Sequence, residues 1–197
     1  GISVGGKKLQ IEVVEYDDRS NSEEAVKAIE RLATQDKVDI ILGSTTTPNS
    51  LAMIDVVSES QTPMISIAAS ARIVEPVDAK KKWVFKTPHT DRMACDKIFV
   101  DMKARGATKA ALISGSGGFD KSMRGECMKV AGKYGIEFVA DETYGATDTD
   151  MTAQLTKIKN AAGVQAVLNA GFGAGPAIVT KNFRQLGINV PLYQSHG

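Results

Sequence analysis

Two stretches of the chain, residues 11–70 and 136–197, follow the same plan, and this repeat limits the possible folds more than any other feature. Each stretch contains a strand, an Asp-rich polar loop, a helix, a second strand ending in Gly, another helix, and a third strand introduced by Pro. The spacing agrees as well, because Ile11 to Val38 is nearly as long as Ile136 to Val164. The repeat therefore predicts two similar lobes.

Within each lobe, strand-like runs alternate with amphipathic segments. In the first helical segment Asn21 and Glu24 have capping-box spacing, and an apolar stripe follows. Such alternation with apolar strands favours parallel sheets covered by helices on both faces, so the predicted fold class is α/β with doubly wound lobes. The predicted strands are residues 9–16, 38–43, 63–68, 83–87, 109–115, 136–144, 164–171 and 190–196.

The boundary between the lobes is predicted at Thr87 and Pro88, because Pro88 ends the strand over residues 83–87. We expect a first lobe over residues 1–87 and a second over 88–197. The second lobe opens with a strand and turn, "KAALISGSGGFD", that has no counterpart in the first. We therefore expect the chain to be a fragment, with a strand, turn and helix before Gly1 and further elements after Gly197.

Composition excludes several kinds of partner. With 24 basic and 23 acidic residues the net charge is +1, so no broad field is available to hold nucleic acid or an anionic membrane. The apolar runs are too short for direct membrane insertion. Cys95 and Cys127 lie in helix-like segments without metal-binding spacing, and two buried thiols are favoured over a disulfide.

A ligand cleft between the lobes follows from the predicted topology, because ligands bind beyond the carboxyl ends of parallel strands. The hydroxyl run over residues 44–47 corresponds by the repeat to residues 172–175 of the other lobe. The loop at residues 68–70 corresponds to the turn at 195–196. The turn at 115–119 is a further loop of the same group. These loops face one another across the cleft, where a small ligand fits.

The residue types in these loops indicate binding rather than catalysis. Hydroxyls at Thr46, Thr47 and Ser70, with backbone N–H groups at helix starts, can hold a carboxylate without a side-chain cation. Phe119 and Phe172 offer apolar faces for the rest of the ligand. No His or Lys lies near the hydroxyl run in sequence to act as a base. The alternative is that residues 44–47 only cap a helix.

Competing motifs are weak. The loop "GFGAGP" ends in Pro and follows a second strand rather than the first, and "GSTTTPNS" lacks the lysine of a phosphate-binding loop. His89 and His196 have no ligand-like spacing, so no metal is expected. Helix capping is the favoured role for the loop acids, and no cofactor is expected. These acids are Asp17, Asp18, Asp148 and Asp150.

Several motifs in the same order resemble the type I periplasmic solute-binding proteins of ABC importers, in the branched-chain amino acid binding branch. They include "VDIILGSTTTPNSLA", "TPMISIAAS" and "FKTPHTD", and the similarity runs from near Gly5 to Gly197. The resemblance implies two lobes joined by three crossovers that close over a ligand. It also implies a periplasmic location and a membrane permease as partner, with no reaction catalysed.

The resemblance also assigns ligand contacts by position. It implies a carboxylate contact for Thr47, main-chain and hydroxyl contacts for Ala68 and Ser70, and aromatic contacts for Phe119 and Phe172. His196 departs from the family, whose members that bind branched-chain amino acids tend to have Glu there as the partner of the ligand ammonium. This change favours an acid without an α-amino group. Alternatively, Asp120 supplies the negative charge and the ligand is an ordinary amino acid.

The sequence thus predicts an extracytoplasmic protein that captures a small carboxylate, either an amino acid or an aromatic acid, for import. A sensor domain of the same fold is the main alternative, and a nucleotide-using enzyme is a weaker one. A DNA-binding helix pair before Gly1 would favour regulation, whereas an export signal would favour transport.

Overall fold

The structure is a computed structural model that describes residues 1–197, with one antiparallel hairpin and two parallel sheets. Strands and helices alternate, and the α/β fold class is confirmed. The strands are β1 (Ile2–Val4), β2 (Lys7–Leu9), β3 (Ile41–Leu42), β4 (Met64–Ser66), β5 (Val84–Lys86), β6 (Lys109–Gly115), β7 (Glu137–Tyr144), β8 (Ala166–Ala170) and β9 (Leu192–Gln194). The helices are α1 (Ser22–Thr34), α2 (Thr47–Ala52), α3 (Ile54–Ser60), α4 (Asp91–Ala104), α5 (Gly118–Ala131), α6 (Thr152–Asn160) and α7 (Gly175–Gln185).

Each parallel sheet forms the centre of one lobe. The first sheet has the order β3-β4-β5, and the second has the order β7-β6-β8-β9. In the second sheet β6 lies between β7 and β8, so the chain winds outward from the middle in both directions. The passage from one sheet to the other follows β5, where residues 87–90 lead into α4.

The second sheet is buried on both faces, because successive side chains of a strand point to opposite sides. Along β6, Ala110 and Leu112 pack with α4 and α5, whereas Ala111 and Ile113 pack with α6 and α7. All four side chains are at most 1% exposed. This double cover makes β6 a rigid base for the loop that follows it.

The first lobe has a smaller core, in which Ala25 and Ile29 of α1 pack on the sheet. Asn21 caps α1, accepting from the N–H groups of Glu23 and Glu24. The reciprocal half of the predicted capping box is absent, because Glu24 pairs with Lys27 at 2.8 Å instead.

The predicted strand over residues 9–16 is wrong beyond Leu9, where β2 ends. Residues 10–18 form no strand, since no neighbouring strand supplies the ladder of hydrogen bonds that a strand needs. As a result Ile11 and Val13 are 62% and 70% exposed. Leu42 of β3, the edge strand of the first sheet, is exposed as well, so this side of the first lobe is apolar.

The prediction of two free thiols is also wrong, because Cys95 of α4 and Cys127 of α5 form a disulfide. Both residues are fully buried between the two helices, with Cα atoms 5.1 Å apart. Sequence spacing gave no sign of this pairing, because the two residues come together only when α4 and α5 pack side by side. The bond ties these helices together in the second lobe.

The two lobes contact each other beside the cleft through one buried hydroxyl pair and one partly exposed ion pair. The hydroxyl of Ser70 lies 2.6 Å from that of Ser122 in α5. Arg92, at the start of α4, donates to Glu75 of the first lobe and to Glu126 of α5, at 2.6 Å each. These contacts hold the lobes close enough for their loops to face one another.

Candidate ligand-binding site

A cavity of about 640 Å³ lies between the lobes, at the carboxyl ends of both sheets. Its first-lobe wall comes from residues 45–48 after β3 and from Ile67 and Ala69 after β4. Residues 117–120 after β6 and Phe172 after β8 form the second-lobe wall. His89 and His196 lie where the chain leaves β5 and β9. The cavity therefore stands where the topology predicts a ligand.

The hydroxyl groups of the first lobe are available in this cavity. Thr46 is the N-cap residue of α2, but its side chain makes no capping hydrogen bond. Its Oγ1 atom is buried and has no partner in the protein. Thr47 also lines the cavity and is 2% exposed. Helix capping, the alternative interpretation of these hydroxyls, therefore does not account for Thr46.

Two of the predicted contacts, Ala68 and Ser70, do not line the cavity. The chain is extended here, so alternate residues point in opposite directions, and Ile67 and Ala69 face the cavity instead. The Ala68 N–H donates to Ser66 Oγ at 3.1 Å. The Ser70 hydroxyl is fully buried, is paired with Ser122, and accepts from the Arg72 N–H. Both residues therefore lie behind the cavity wall and bond to neighbouring protein groups.

Four aromatic or imidazole rings lie close together along the cavity wall. Phe119 lies 6.0 Å from Phe172 and 5.1 Å from His196 between ring centroids, the latter edge to face. His196 in turn lies 4.3 Å from His89. An apolar surface thus passes continuously into a pair of imidazoles, which suits a ligand with one flat apolar end and one polar end.

Sequence reasoning missed His89, although a usable signal was present. His89 follows Pro88, directly after β5, and so obeys the same carboxyl-end rule that pointed to the other loops. Its spacing from His196 along the chain is not that of a ligand pair. Contact between two residues far apart in sequence could not be read from that spacing.

The charges on the cavity wall are few. Asp120 is its only acidic side chain, and neither Lys nor Arg lines it. Burial raises the pKa of Asp120, an effect that the hydrogen bond from the Gly117 N–H partly opposes. Burial also lowers the pKa of His196, and His89 lowers it further. At neutral pH His196 is therefore a neutral imidazole that can donate one hydrogen bond and accept another.

The loop acids have structural roles at the backbone. Asp150 accepts from the N–H of Thr152 at the start of α6, and Asp148 accepts from Gly145. Asp18 accepts from Ser20 and from the Asn49 amide. No group of three or more His, Cys, Asp or Glu side chains is arranged to hold a metal ion.

Two α/β lobes around such a cleft are the architecture of a ligand-binding protein, and comparison with known proteins identifies the class. The chain belongs to the periplasmic binding protein family, whose sequence profile matches residues 2–197. This confirms the resemblance read from the motifs. None of its helices combines the length and apolar content that crossing a membrane requires.

Several solved structures share the fold, and the chain spans about half the length of each one named here. An extracellular ligand-binding receptor from Rhodopseudomonas palustris HaA2 is 32% identical over 92% of this chain and 50% of its own, with a TM-score of 0.85. The branched-chain amino acid transporter substrate-binding protein LivJ from Streptococcus pneumoniae, in complex with isoleucine, is 27% identical over 98% and 53%, with a TM-score of 0.80. An ABC transporter substrate-binding protein from Desulfitobacterium hafniense, in complex with Leu, is 18% identical over 97% and 56%, with a TM-score of 0.79, and shows the fold alone.

Proposed function

We propose that this protein captures a small carboxylate in the cleft between its lobes and delivers it to the membrane permease of an ABC importer. The observation that carries the proposal is the composition of the cavity, with free hydroxyls on one lobe and closely spaced rings on the other. Thr46 and Thr47 offer hydrogen bonds to a carboxylate, and Phe119 and Phe172 offer an apolar surface to its body. The cavity volume lies within the range of small-molecule sites.

The proposed location is outside the cytoplasmic membrane, in the periplasm. Disulfides form and persist in oxidising compartments, and the Cys95–Cys127 bond fits such a compartment. Membership of the periplasmic binding protein family supports the same location. A substrate-binding protein of a branched-chain amino acid transporter among the similar structures supports delivery to an importer.

Binding without catalysis is the proposed mode of action. The hydroxyls at Thr46 and Thr47 have no base within the contacts described, and the His196 imidazole packs against Phe119 and His89 rather than against a hydroxyl. A nucleotide is a poor candidate ligand, because neither Lys nor Arg lines the cavity to meet its phosphates. Selective affinity for a carboxylate is the property to measure.

Calorimetry with a panel of small carboxylates tests this function. The panel contains leucine, isoleucine, benzoate, cinnamate and a 2-oxo acid. We expect at least one of these acids to bind saturably and ATP not to bind. Thr47→Val keeps the side-chain volume and removes the hydroxyl, so affinity should fall by roughly tenfold. Thr156→Val is the matched control, because Thr156 lies on the exposed face of α6 and its hydroxyl bonds only to the Thr152 backbone carbonyl. Absence of binding by every carboxylate would contradict the proposed function.

A further inference from the structure

A second cavity, of about 540 Å³, is lined by residues of both lobes and shares none of them with the ligand cavity. Ala69 lines the ligand cavity, whereas Ala71, two residues further along the extended chain, lines the second one. The second cavity is highly charged, unlike the first. Its four basic and two acidic side chains are Arg72, Lys81, Arg92, Lys129, Glu75 and Glu126.

Both acidic side chains are already paired with cations. Glu126 is 3% exposed, and its two oxygens accept from Lys129 Nζ and Arg92 Nε at 2.6 Å each. Burial raises the pKa of Glu126, but these two hydrogen bonds outweigh burial and hold that pKa below its usual value. Arg92 also donates to Glu75 at 2.6 Å. Two carboxylates and two cations therefore balance each other within one network.

The other two basic side chains have no carboxylate partner. The Arg72 guanidinium forms neither a hydrogen bond nor an ion pair, and only the backbone N–H of Arg72 is bonded, to Ser70. Lys81 donates from Nζ to the backbone carbonyl of Glu75 at 2.7 Å, which leaves its charge uncompensated. Two positive charges thus remain on the wall of the cavity, and both belong to the first lobe.

We propose that this second cavity binds a small oxyanion with two negative charges, of the phosphate and sulfate class. Arg72 presents a planar fork of N–H donors, which fits two oxygens of such an anion. Lys81 and Lys129 each use Nζ for one hydrogen bond within the protein, and an ammonium group has three donors. The two lobes therefore both offer donors, and the charge of the anion matches the two uncompensated cations.

Calorimetry tests the site by titrating inorganic phosphate, and separately sulfate, into the protein in chloride buffer of constant ionic strength. We expect saturable binding of both anions. Arg72→Gln removes an exposed, unpaired guanidinium, so the affinity for both should fall by roughly tenfold. Arg184→Gln is the matched control, because Arg184 is also exposed and without an ion pair but lies on α7, outside the cavity. Its anion affinity should stay unchanged.

A second titration tells the two cavities apart. Phosphate should still bind when the ligand cavity is saturated with the tightest acid of the carboxylate panel. Displacement of phosphate by that acid, absence of saturable anion binding, or an equal loss in Arg72→Gln and Arg184→Gln overturns the inference. The comparison of these two variants needs no carboxylate ligand, so its outcome is independent of whether the proposed function holds.

Discussion

His196 lies just after β9, with its ring close to those of both Phe119 and His89. Burial and the neighbouring imidazole lower its pKa, and Lys86 lowers it further, although Asp91 acts in the opposite direction. A neutral imidazole at this position cannot replace a carboxylate as the partner of an ammonium group. It can donate to a carboxylate, a carbonyl or a phenolic oxygen.

We therefore predict that acids without an α-amino group bind to the protein, and that His196→Glu shifts its preference toward leucine and isoleucine. The substituted carboxylate would pair with the ammonium and repel the carboxylate of a simple acid. His196→Gln, which stays uncharged, is the control and should not gain affinity for amino acids. Competition calorimetry with leucine and benzoate measures the shift. Tight leucine binding to the unaltered protein, with no binding of any acid lacking the amine, would contradict the prediction.

At the residue scale, the sequence indicates which loops reach the cavity, whereas contacts in the folded protein decide which side chains of those loops face it. Thr46, Thr47, Phe119, Phe172 and His196 all line the cavity, because each follows a strand whose carboxyl end the repeat located. Alternation along the extended chain could have shown that Ser70 and Ala68 point away once Ile67 faces inward. One oxygen of Asp120, Oδ1, is buried without a hydrogen-bond partner, a property of packing that has no sequence signature.

Among the elements, α2 and α5 decide how closely the lobes approach. Their first turns meet across the cleft, where a Cβ atom at Gly118 would lie 3.1 Å from Pro48 Cγ. This is tighter than an ordinary van der Waals contact, so Gly118 permits an approach that a side chain would prevent. Gly125 lies further along α5, where an added Cβ atom would meet no other atom within 4 Å.

We predict that Gly118→Val weakens ligand binding by roughly tenfold or more, because overpacking at this contact holds the lobes apart. Gly125→Val places the same side chain on the same helix without a contact, and its affinity should remain unchanged. Calorimetry with the tightest acid of the panel compares the two variants. Equal affinities would show that the contact between Pro48 and Gly118 does not limit closure.

The sequence predicts a strand best where neighbouring strands and helices surround it. The seven residues of β6 match the predicted strand fully, because β6 has a neighbour on each side and helices on both faces. β3 keeps only two of its six predicted residues, and residues 10–16 form no strand. Local periodicity reports which side chains are apolar, but a strand also needs a partner, which periodicity cannot reveal.

At the scale of the whole molecule, the cleft is formed by two separate cores with few connections. The first lobe has one hydrophobic cluster, and the second has one on each face of its sheet. Between them lie the Ser70–Ser122 contact and the ion pairs of Arg92. Such an arrangement allows the lobes to move as bodies, and a ligand that touches both favours the closed one.

We predict that small-angle scattering shows a smaller radius of gyration at saturating carboxylate than in its absence. Only a ligand with different contacts in the open and closed forms can shift the equilibrium. Thr47→Val at the same ligand concentration is the comparison, because weaker contact with the first lobe should leave more of the open form. Unchanged dimensions at saturation would count against a hinge that closes on its ligand.

The disulfide fixes α4 and α5 relative to each other during such a movement. α4 begins at the passage between the lobes, and α5 begins at the turn that carries Phe119 and Asp120. The Cys95–Cys127 bond links the beginning of α4 to the second half of α5, so the two helices cannot slide past each other. If the lobes rotate about residues 87–90, the disulfide would make α4 and α5 move as one unit, so Phe119 and Asp120 would keep their mutual spacing as the cleft closes.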